Sequence, residues 1–487
     1  MLFNSYIFIL LFLPLCITGY FSLNHLKHYA LAQLFLLLMS FWFYGYFNPS
    51  YLIIMLVSIC GNYLAAMLMD KSSKQSYRKI VLWVAIVANL GILFYFKYYD
   101  FFVSNINRLF ASDFALIHVV LPLGISFFTF QQLSFVIDSY HGETQKYNFL
   151  QYASFVAYFP QLIAGPIVTH DELIPQFSDL EKKRFQWDNF ARGIYIFALG
   201  LAKKVLVADL FGQVADFGYA DVSFLDSTNG ILVMLAYTFQ VYFDFSGYCD
   251  MAIGLGRMMN LDLPINFDSP YKSLTITEFW KRWHKTLTRF FTRYVYIPLG
   301  GNRKGQIRTC LHMMVVFVVS GLWHGASWSF VIWGFLHGIY SVAVRCRQEK
   351  IAARHPVYNW LLTFAFVNFA WIFFRAERMM DAVTLIKNIL SCNFGPIHFE
   401  IYKAFHLSEI VYPIEWLFGI NIDAEAPVIL LMIAYVGTLL AVLGAPNAYE
   451  RMESFSCKIS ELFTTVVLLI WCIFTLSGVS TFLYFNF

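Results

Sequence analysis

From Thr309 to Val344 this chain carries no Asp, Glu, Lys or Arg, and close to the middle of that run lies His324. The run is bounded by Arg308 and Arg345, each part of a basic segment. One bilayer crossing takes roughly 20 apolar residues. The run is therefore long enough to enter the bilayer and return, which puts its charged ends on the same side. An imidazole inside it is costly unless it is paired or used, so His324 is a functional-site candidate.

Composition extends this to the whole chain. Of 487 residues, 59% are hydrophobic and 13% charged, where a soluble domain carries about a quarter charged. Candidate spans fall near 3–22, 30–47, 50–68, 79–97, 115–137, 190–213, 229–248, 309–322, 326–344, 358–375, 427–444 and 461–479. Only helices close their own backbone hydrogen bonds in lipid without a barrel, so the expected fold is an all-α polytopic membrane protein of roughly 11–13 membrane helices, with re-entrant and interfacial helices besides. The apolar segment 149–168 contains Pro160, Gly165 and Pro166 and reads as a re-entrant or broken helix. The first span lacks a signal peptide's basic start and cleavage site, and reads as retained, with a bend at Pro14. The eight cysteines form no C-x-x-C pair. They read as small core residues, not as a disulfide frame or a zinc site.

Lys and Arg in short loops set orientation. Lys71, Lys74, Arg78 and Lys79 follow the third span, and Arg345, Arg347, Lys350 and Arg354 follow the His324 run. Segment 257–308 holds ten basic residues against Asp262, Asp268 and Glu278. All three are expected to be cytoplasmic, which places the N-terminus outside. Segment 395–425, with Glu400, Glu409, Glu415, Asp423 and Glu425 against Lys403, is expected to be external, as are residues 482–487.

The first leg of the His324 hairpin, 309–322, spans roughly 21 Å at 1.5 Å per residue, short of a hydrocarbon core. This predicts that the Trp323-His324-Gly325 turn lies inside the bilayer, with Gly321 and Gly325 allowing the chain to turn. Segment 273–300 predicts one aromatic, basic helix at the cytoplasmic surface, capped by Thr275 or Thr277, with His284 in its middle and an end at Pro298 and Gly300-Gly301-Asn302. His284 and His324 could share a cavity, where a neutral imidazole can take a proton from an attacking hydroxyl. His284 reads equally as an interfacial histidine. Asp244 and Asp250 could pair with Lys281 or Arg282. Lys203 and Lys204 could meet an anionic donor, or snorkel, or pair with Asp209. His337, His118 and His312 read as structural. No H-x-x-x-H, H-x-x-H-H, G-x-S-x-G, H-E-x-x-H or P-loop is present, which argues against a diiron hydroxylase and a serine hydrolase. Gly254 and Gly256 follow no strand, so a dinucleotide-binding reading is poor.

Trp323-His324-Gly325 resembles the signature of the membrane-bound O-acyltransferase (MBOAT) superfamily. Phe279-Trp-Lys-Arg-Trp-His284, Tyr296-Ile-Pro-Leu-Gly-Gly-Asn-Arg303, Asp244-Phe-Ser-Gly-Tyr-Cys-Asp-Met-Ala-Ile-Gly254 and Phe159-Pro-Gln-Leu-Ile-Ala-Gly-Pro166 are similar to motifs of its bacterial polysaccharide O-acetylation branch. Cys249 stands where a serine is expected. The resemblance implies a helical fold with a central funnel or tunnel, forming one domain over 1–487. Within it, N-terminal helices occupy 1–148, a catalytic core 149–375, and an external segment with C-terminal helices 376–487. It implies acyl transfer to a hydroxyl in a bacterial cytoplasmic membrane, with His324 as the catalytic histidine and His284 as the second.

On that basis Lys281, Arg282, Lys285, Arg289 and Arg303 are expected to attract the phosphates of acetyl-CoA. Acetyl-CoA would be the donor substrate, with no permanently bound cofactor and no metal. The indole of Trp323 or Trp328, or His284, would donate to the oxyanion. The expected partners are the lipid bilayer and an extracytoplasmic SGNH-type acetyltransferase or polymer-synthesis complex. This partner would dock at 391–426 through Phe394, Phe399, Tyr402, Phe405 and Trp416. No nucleic acid is expected. D-alanyl transfer to teichoic acid and a non-covalent acyl transporter are the competing expectations.

Overall fold

The computed structural model describes residues 1–346, 355–419, 422, 426–476 and 482–483. Arg347, Lys350, Arg354, Asp423, Glu425 and residues 484–487 therefore lie outside the described residues. Among the described residues every regular element is a helix. Among these described residues, seven helical stretches are long and apolar enough to cross a membrane: Phe8–His25, Pro49–Lys71, Gln75–Phe110, Gln306–His324, Trp328–Cys346, Pro356–Arg375 and Ala426–Gly444. Tyr29–Gly45 and Ile459–Thr475 are shorter apolar helices. Three more, Ile125–His141, Trp187–Ala220 and Ser227–Met258, fall where spans were expected and carry the buried polar groups that lower their hydropathy.

One end of the bundle is closed by polar contacts between loops. Gln75 donates to Tyr140, Arg293 pairs with Glu143, Arg289 with Glu172 and Lys182 with Asp262. Asn447 donates to Asp268, and Lys272 to the Ala445 carbonyl. These contacts tie together separate parts of the chain, several of them basic.

Several local expectations are corrected. Residues 111–124 are not helical, so the span begun at 115 starts at Ile125, after Gly124 at φ +70°. The span expected at 229–248 runs from Ser227 to Met258. The apolar segment 149–168 is interrupted, as its prolines indicate. Helix Phe149–Ala157 stops, Pro160 opens a short turn Phe159–Leu162, and the whole segment from Tyr152 to Val168 is buried in protein. Before Pro14 the first span carries a π turn, Phe8–Phe12.

The hairpin differs most. Its first leg extends from Gln306 to His324, 19 residues, or roughly 28 Å. The leg is thus near full crossing length, and shortness does not account for the buried turn. His324 is the last residue of that helix. Gly325 is extended (φ −162°) and Gly321 is helical, so neither supplies a left-handed turn. They serve close packing. A Cβ on Gly321 would meet the Phe330 carbonyl at 2.3 Å, and one on Gly334 the Phe317 carbonyl at 2.3 Å. Small residues let the two legs touch backbone to backbone, the usual way apolar helices associate where no hydrophobic force separates them from lipid.

Candidate active site

Three lysines sit in π turns of long helices. Lys97 is in Phe94–Tyr98, and Lys203 and Lys204 open Lys203–Ala208. The wider turn frees backbone groups and re-aims side chains, and such turns recur at functional positions. Lys97 was not singled out in the sequence, although a cation at the end of an apolar span is the signal that marks it. Its Nζ donates to the carbonyl oxygens of Trp323 (2.7 Å) and His324 (3.0 Å). The last carbonyls of a helix have no partner within it. Lys97 therefore caps the C-terminal end of the helix that ends at His324, where a cation also suits the helix dipole. Tyr98 donates to the Leu322 carbonyl at 2.9 Å.

The His324 ring is 3% exposed. It lies among Trp323, Trp333 and Phe374, with ring centres 4.9, 5.2 and 5.1 Å away. Trp323 packs against Phe130 and Phe127, each at 5.3 Å.

His284 reaches the same place from the other direction. The helix expected over 273–300 is broken there. Helix Ile276–Arg282 is capped by the Thr275 hydroxyl accepting from the Glu278 N–H, and a second helix begins at Lys285. Between them Trp283 is extended and His284 adopts φ +46°, ψ +51°. A left-handed conformation is uncommon outside glycine and marks a position held by its surroundings. The break turns the imidazole inward, where it is fully buried. His284 is 6.3 Å from His324, ring to ring, 6.0 Å from Trp323 and 4.8 Å from Phe245. Burial lowers its pKa to about 3, so the ring is neutral at physiological pH. After the break the chain continues through a π turn, Thr292–Tyr296, and ends at Leu299 before Gly300 and Gly301, both at positive φ.

Asn266, also missed in the sequence, holds the break. Its Oδ1 lies 3.1 Å from His284 Nδ1 and accepts from the Thr286 N–H (3.2 Å) and hydroxyl (2.9 Å). Its carbonyl accepts from the Lys285 N–H at 3.0 Å. The Thr286 hydroxyl accepts in turn from the Ile167 N–H, which ties the break to the Phe159–Pro166 segment. Asn266 Nδ2 approaches Cys249 Sγ at 3.4 Å, so the residue standing where a serine was expected belongs to this network.

The expected donor-binding cations are not equivalent. Lys281, Lys285, Arg289 and Arg293 line a cavity of about 760 Å³ at the basic end. Lys281 also lines an adjoining cavity of about 430 Å³ with Trp280, Phe291, Phe317, Ser320 and Arg345. Arg282 is engaged by Glu278 and the Asp268 carbonyl, and Arg289 forks onto Glu172. Arg303 is exposed beyond both cavities. Ser320 precedes His324 by about one helical turn. On the far side a narrow cleft of about 20 Å³, room for roughly one water, is lined by Lys97, Leu121 to Phe127, Ile163, Trp323 and His324. Trp280 and Phe317 line the 430 Å³ cavity, and Trp323 lines the cleft.

Other expectations are revised by the contacts. Asp244 and Asp250 do not reach Lys281 or Arg282. Asp250 pairs with Lys203 at 2.6 Å, and Asp244 and Asp209 both pair with Lys204, at 2.7 and 2.8 Å. Both lysines are thus structural ion-pair partners between helices 187–220 and 227–258. The Trp328 indole is exposed and donates to Asn105, which removes it as an oxyanion donor. The buried Trp323 indole N–H has no acceptor among the described residues. His337 accepts from the Trp280 indole at 3.3 Å and is buried. In the external segment Phe394, Phe399 and Trp416 are exposed, but Phe405 is fully buried and cannot form part of a docking surface.

Two buried imidazoles, from His284 and His324, thus meet at an aromatic-walled centre of a multi-pass helical membrane protein. The chain belongs to the MBOAT, membrane-bound O-acyltransferase family, whose model matches residues 41–382. It is an O-acyltransferase. It is 42% identical over 423 residues to a peptidoglycan O-acetyltransferase of Helicobacter pylori, covering 81% of this chain and 80% of that protein. It is 38% identical over 403 residues to a probable alginate O-acetylase of Pseudomonas aeruginosa, covering 80% and 75%. A teichoic acid D-alanyltransferase of Bacillus subtilis is 24% identical over 277 residues, covering 52% and 69%. With these bacterial relatives, the fold is that of a multi-pass protein of the bacterial cytoplasmic membrane.

Proposed function

We propose that this chain transfers an acetyl group from cytoplasmic acetyl-CoA to a hydroxyl on the opposite side of the membrane, in support of O-acetylation of a cell-wall or secreted glycan. The observation that carries this reading is the meeting of His324 and His284, ring centres 6.3 Å apart, between a basic cavity and a cleft on the other side. Similarity to two O-acetylating relatives over about four fifths of the chain favours acetyl over D-alanyl, since the D-alanyltransferase likeness is weaker and covers about half of the chain. The basic end is taken as cytoplasmic, which puts the N-terminus outside.

CoA phosphates are held by Lys281, Lys285 and Arg289 at the rim of the 760 Å³ cavity, and the thioester arm reaches past Ser320 as the aromatic walls part. His324 takes the proton of the acceptor hydroxyl as its oxygen attacks the thioester carbonyl. The Trp323 N–H donates to the oxyanion. The C–S bond breaks, and the departing thiolate recovers the proton from His324, so the step is balanced without a metal or a redox partner. The acceptor belongs to an external SGNH-type protein or to the glycan complex, docked on the exposed aromatics of 391–426.

The test is release of free CoA and transfer of labelled acetyl by purified protein in liposomes. His324→Ala should reduce both by about 10²–10⁴-fold, the usual contribution of a general base, with unchanged folding by size-exclusion profile. Normal transfer by that variant removes the reading. Acetyl movement without CoA release would instead establish a transporter.

A further inference from the structure

The tautomer of His284 can be read from its neighbours. Asn266 Oδ1 accepts from the backbone N–H of Thr286 at 3.2 Å. A backbone N–H can only donate, so the amide oxygen, not the amide nitrogen, occupies that position. The same oxygen is 3.1 Å from His284 Nδ1. An oxygen bearing no hydrogen is met there by a donor, so Nδ1 carries the ring proton. In a neutral imidazole Nε2 then holds the lone pair, on the ring edge away from Asn266.

We propose that Asn266 is a positioning residue that fixes His284 as the Nδ1–H tautomer and holds the left-handed break, so that an imidazole acceptor is presented beside His324. The proposal rests on the acyl-transfer reading for its catalytic consequence and on geometry alone for the tautomer. Three consecutive residues, 284 to 286, bond to this one asparagine through side chain or backbone. A change there releases both the backbone turn and the ring. During transfer His324 becomes an imidazolium. A neighbouring lone pair stabilises that charge, whereas the opposite His284 tautomer would set an N–H there. The other ionisable groups around His284 are His324, Cys249 on the far side of Asn266, Lys285 next in the chain, and Lys97 beyond His324.

Two measurements test it. In proteoliposomes of the full chain labelled with ¹⁵N-histidine, solid-state NMR of the wild type and His284→Gln assigns the lost resonance pair. It should show a neutral, δ-protonated ring, and Asn266→Ala should convert it to a tautomer mixture. An ε-protonated ring, or a pattern that Asn266→Ala leaves unchanged, overturns the proposal. In the acetyl-CoA assay Asn266→Ala should lower kcat by about 10²-fold, as for a misplaced catalytic group, with KM for acetyl-CoA within about twofold. Asn266→Asp keeps the shape but sets a carboxylate beside Nδ1–H, which favours imidazolium. The acidic limb of its pH profile should therefore move up by at least about one unit, and that shift should vanish in His284→Gln. Variants that lose activity equally at every pH would show a merely structural asparagine. If the wild type does not cleave acetyl-CoA, the proposed function fails, and the NMR result still decides the role of Asn266.

Discussion

Lys97→Met should nearly silence transfer while leaving the protein folded. Lys97 makes two hydrogen bonds, at 2.7 and 3.0 Å, to the final carbonyls of the His324 helix. Hydrogen bonds to a charged group contribute roughly 1.5–3 kcal/mol each, and a cation at a helix C-terminus adds about 0.3–1 kcal/mol. Against this stands the desolvation of a half-buried ammonium, which costs several kcal/mol and is relieved by methionine. The two sides nearly cancel, so global stability should change by no more than about 2 kcal/mol. Position does not cancel. Without the cap, the carbonyls of Trp323 and His324 turn toward other donors, and the imidazole turns with them. A displacement of about 1 Å can cost about 10² in rate. The assay is labelled acetyl transfer by the purified variant, with KM and kcat separated and the melting temperature measured on the same sample. The expected result is kcat down about 10²-fold, KM nearly unchanged and a small loss in melting temperature. Lys97→Arg, which keeps the charge but forks it, should fall between. Wild-type kcat in Lys97→Met, or a loss matching the fraction of unfolded protein, would refute the reasoning.

Other perturbations separate packing, charge and binding. Gly334→Leu would drive a side chain into the Phe317 carbonyl; it should destabilise the hairpin by about 1–3 kcal/mol or more, seen as a lower melting temperature or a polydisperse size-exclusion profile. Lys204→Met strands Asp244 and Asp209 together, and should cost about 3–5 kcal/mol, more than Lys203→Met, in a melting comparison. Lys281→Ala should raise KM for acetyl-CoA with kcat preserved, and the wild-type KM should rise with ionic strength while the variant's rises less. His284 is neutral in the folded state down to pH about 3. The unfolded chain binds its proton below about 6.5, so the wild type should lose stability as pH falls from 6.5 toward 3. His284→Gln should lose less over that interval in melting curves.

Features that depend on local composition are legible in the residues alone. Apolar runs mark the helices, because each crossing must hide its own backbone and side chains from water. The charge-free run around His324 marks the hairpin, prolines mark the interruption near Pro160, and four ordered motifs mark the family. Features that depend on contacts between distant residues emerge only when the chain is packed. Packing broke the helix at His284, which the periodic aromatics of 273–300 conceal, because Asn266 supplies the bonds that make a left-handed histidine stable. It assigned Lys203, Lys204, Asp244 and Asp250 to one another, since opposite charges in a dry interior pair with the nearest partner in space rather than in sequence. It placed Lys97 on carbonyls more than 220 residues away. Burial of a helix end creates unmet acceptors, and only the packed chain determines which cation reaches them.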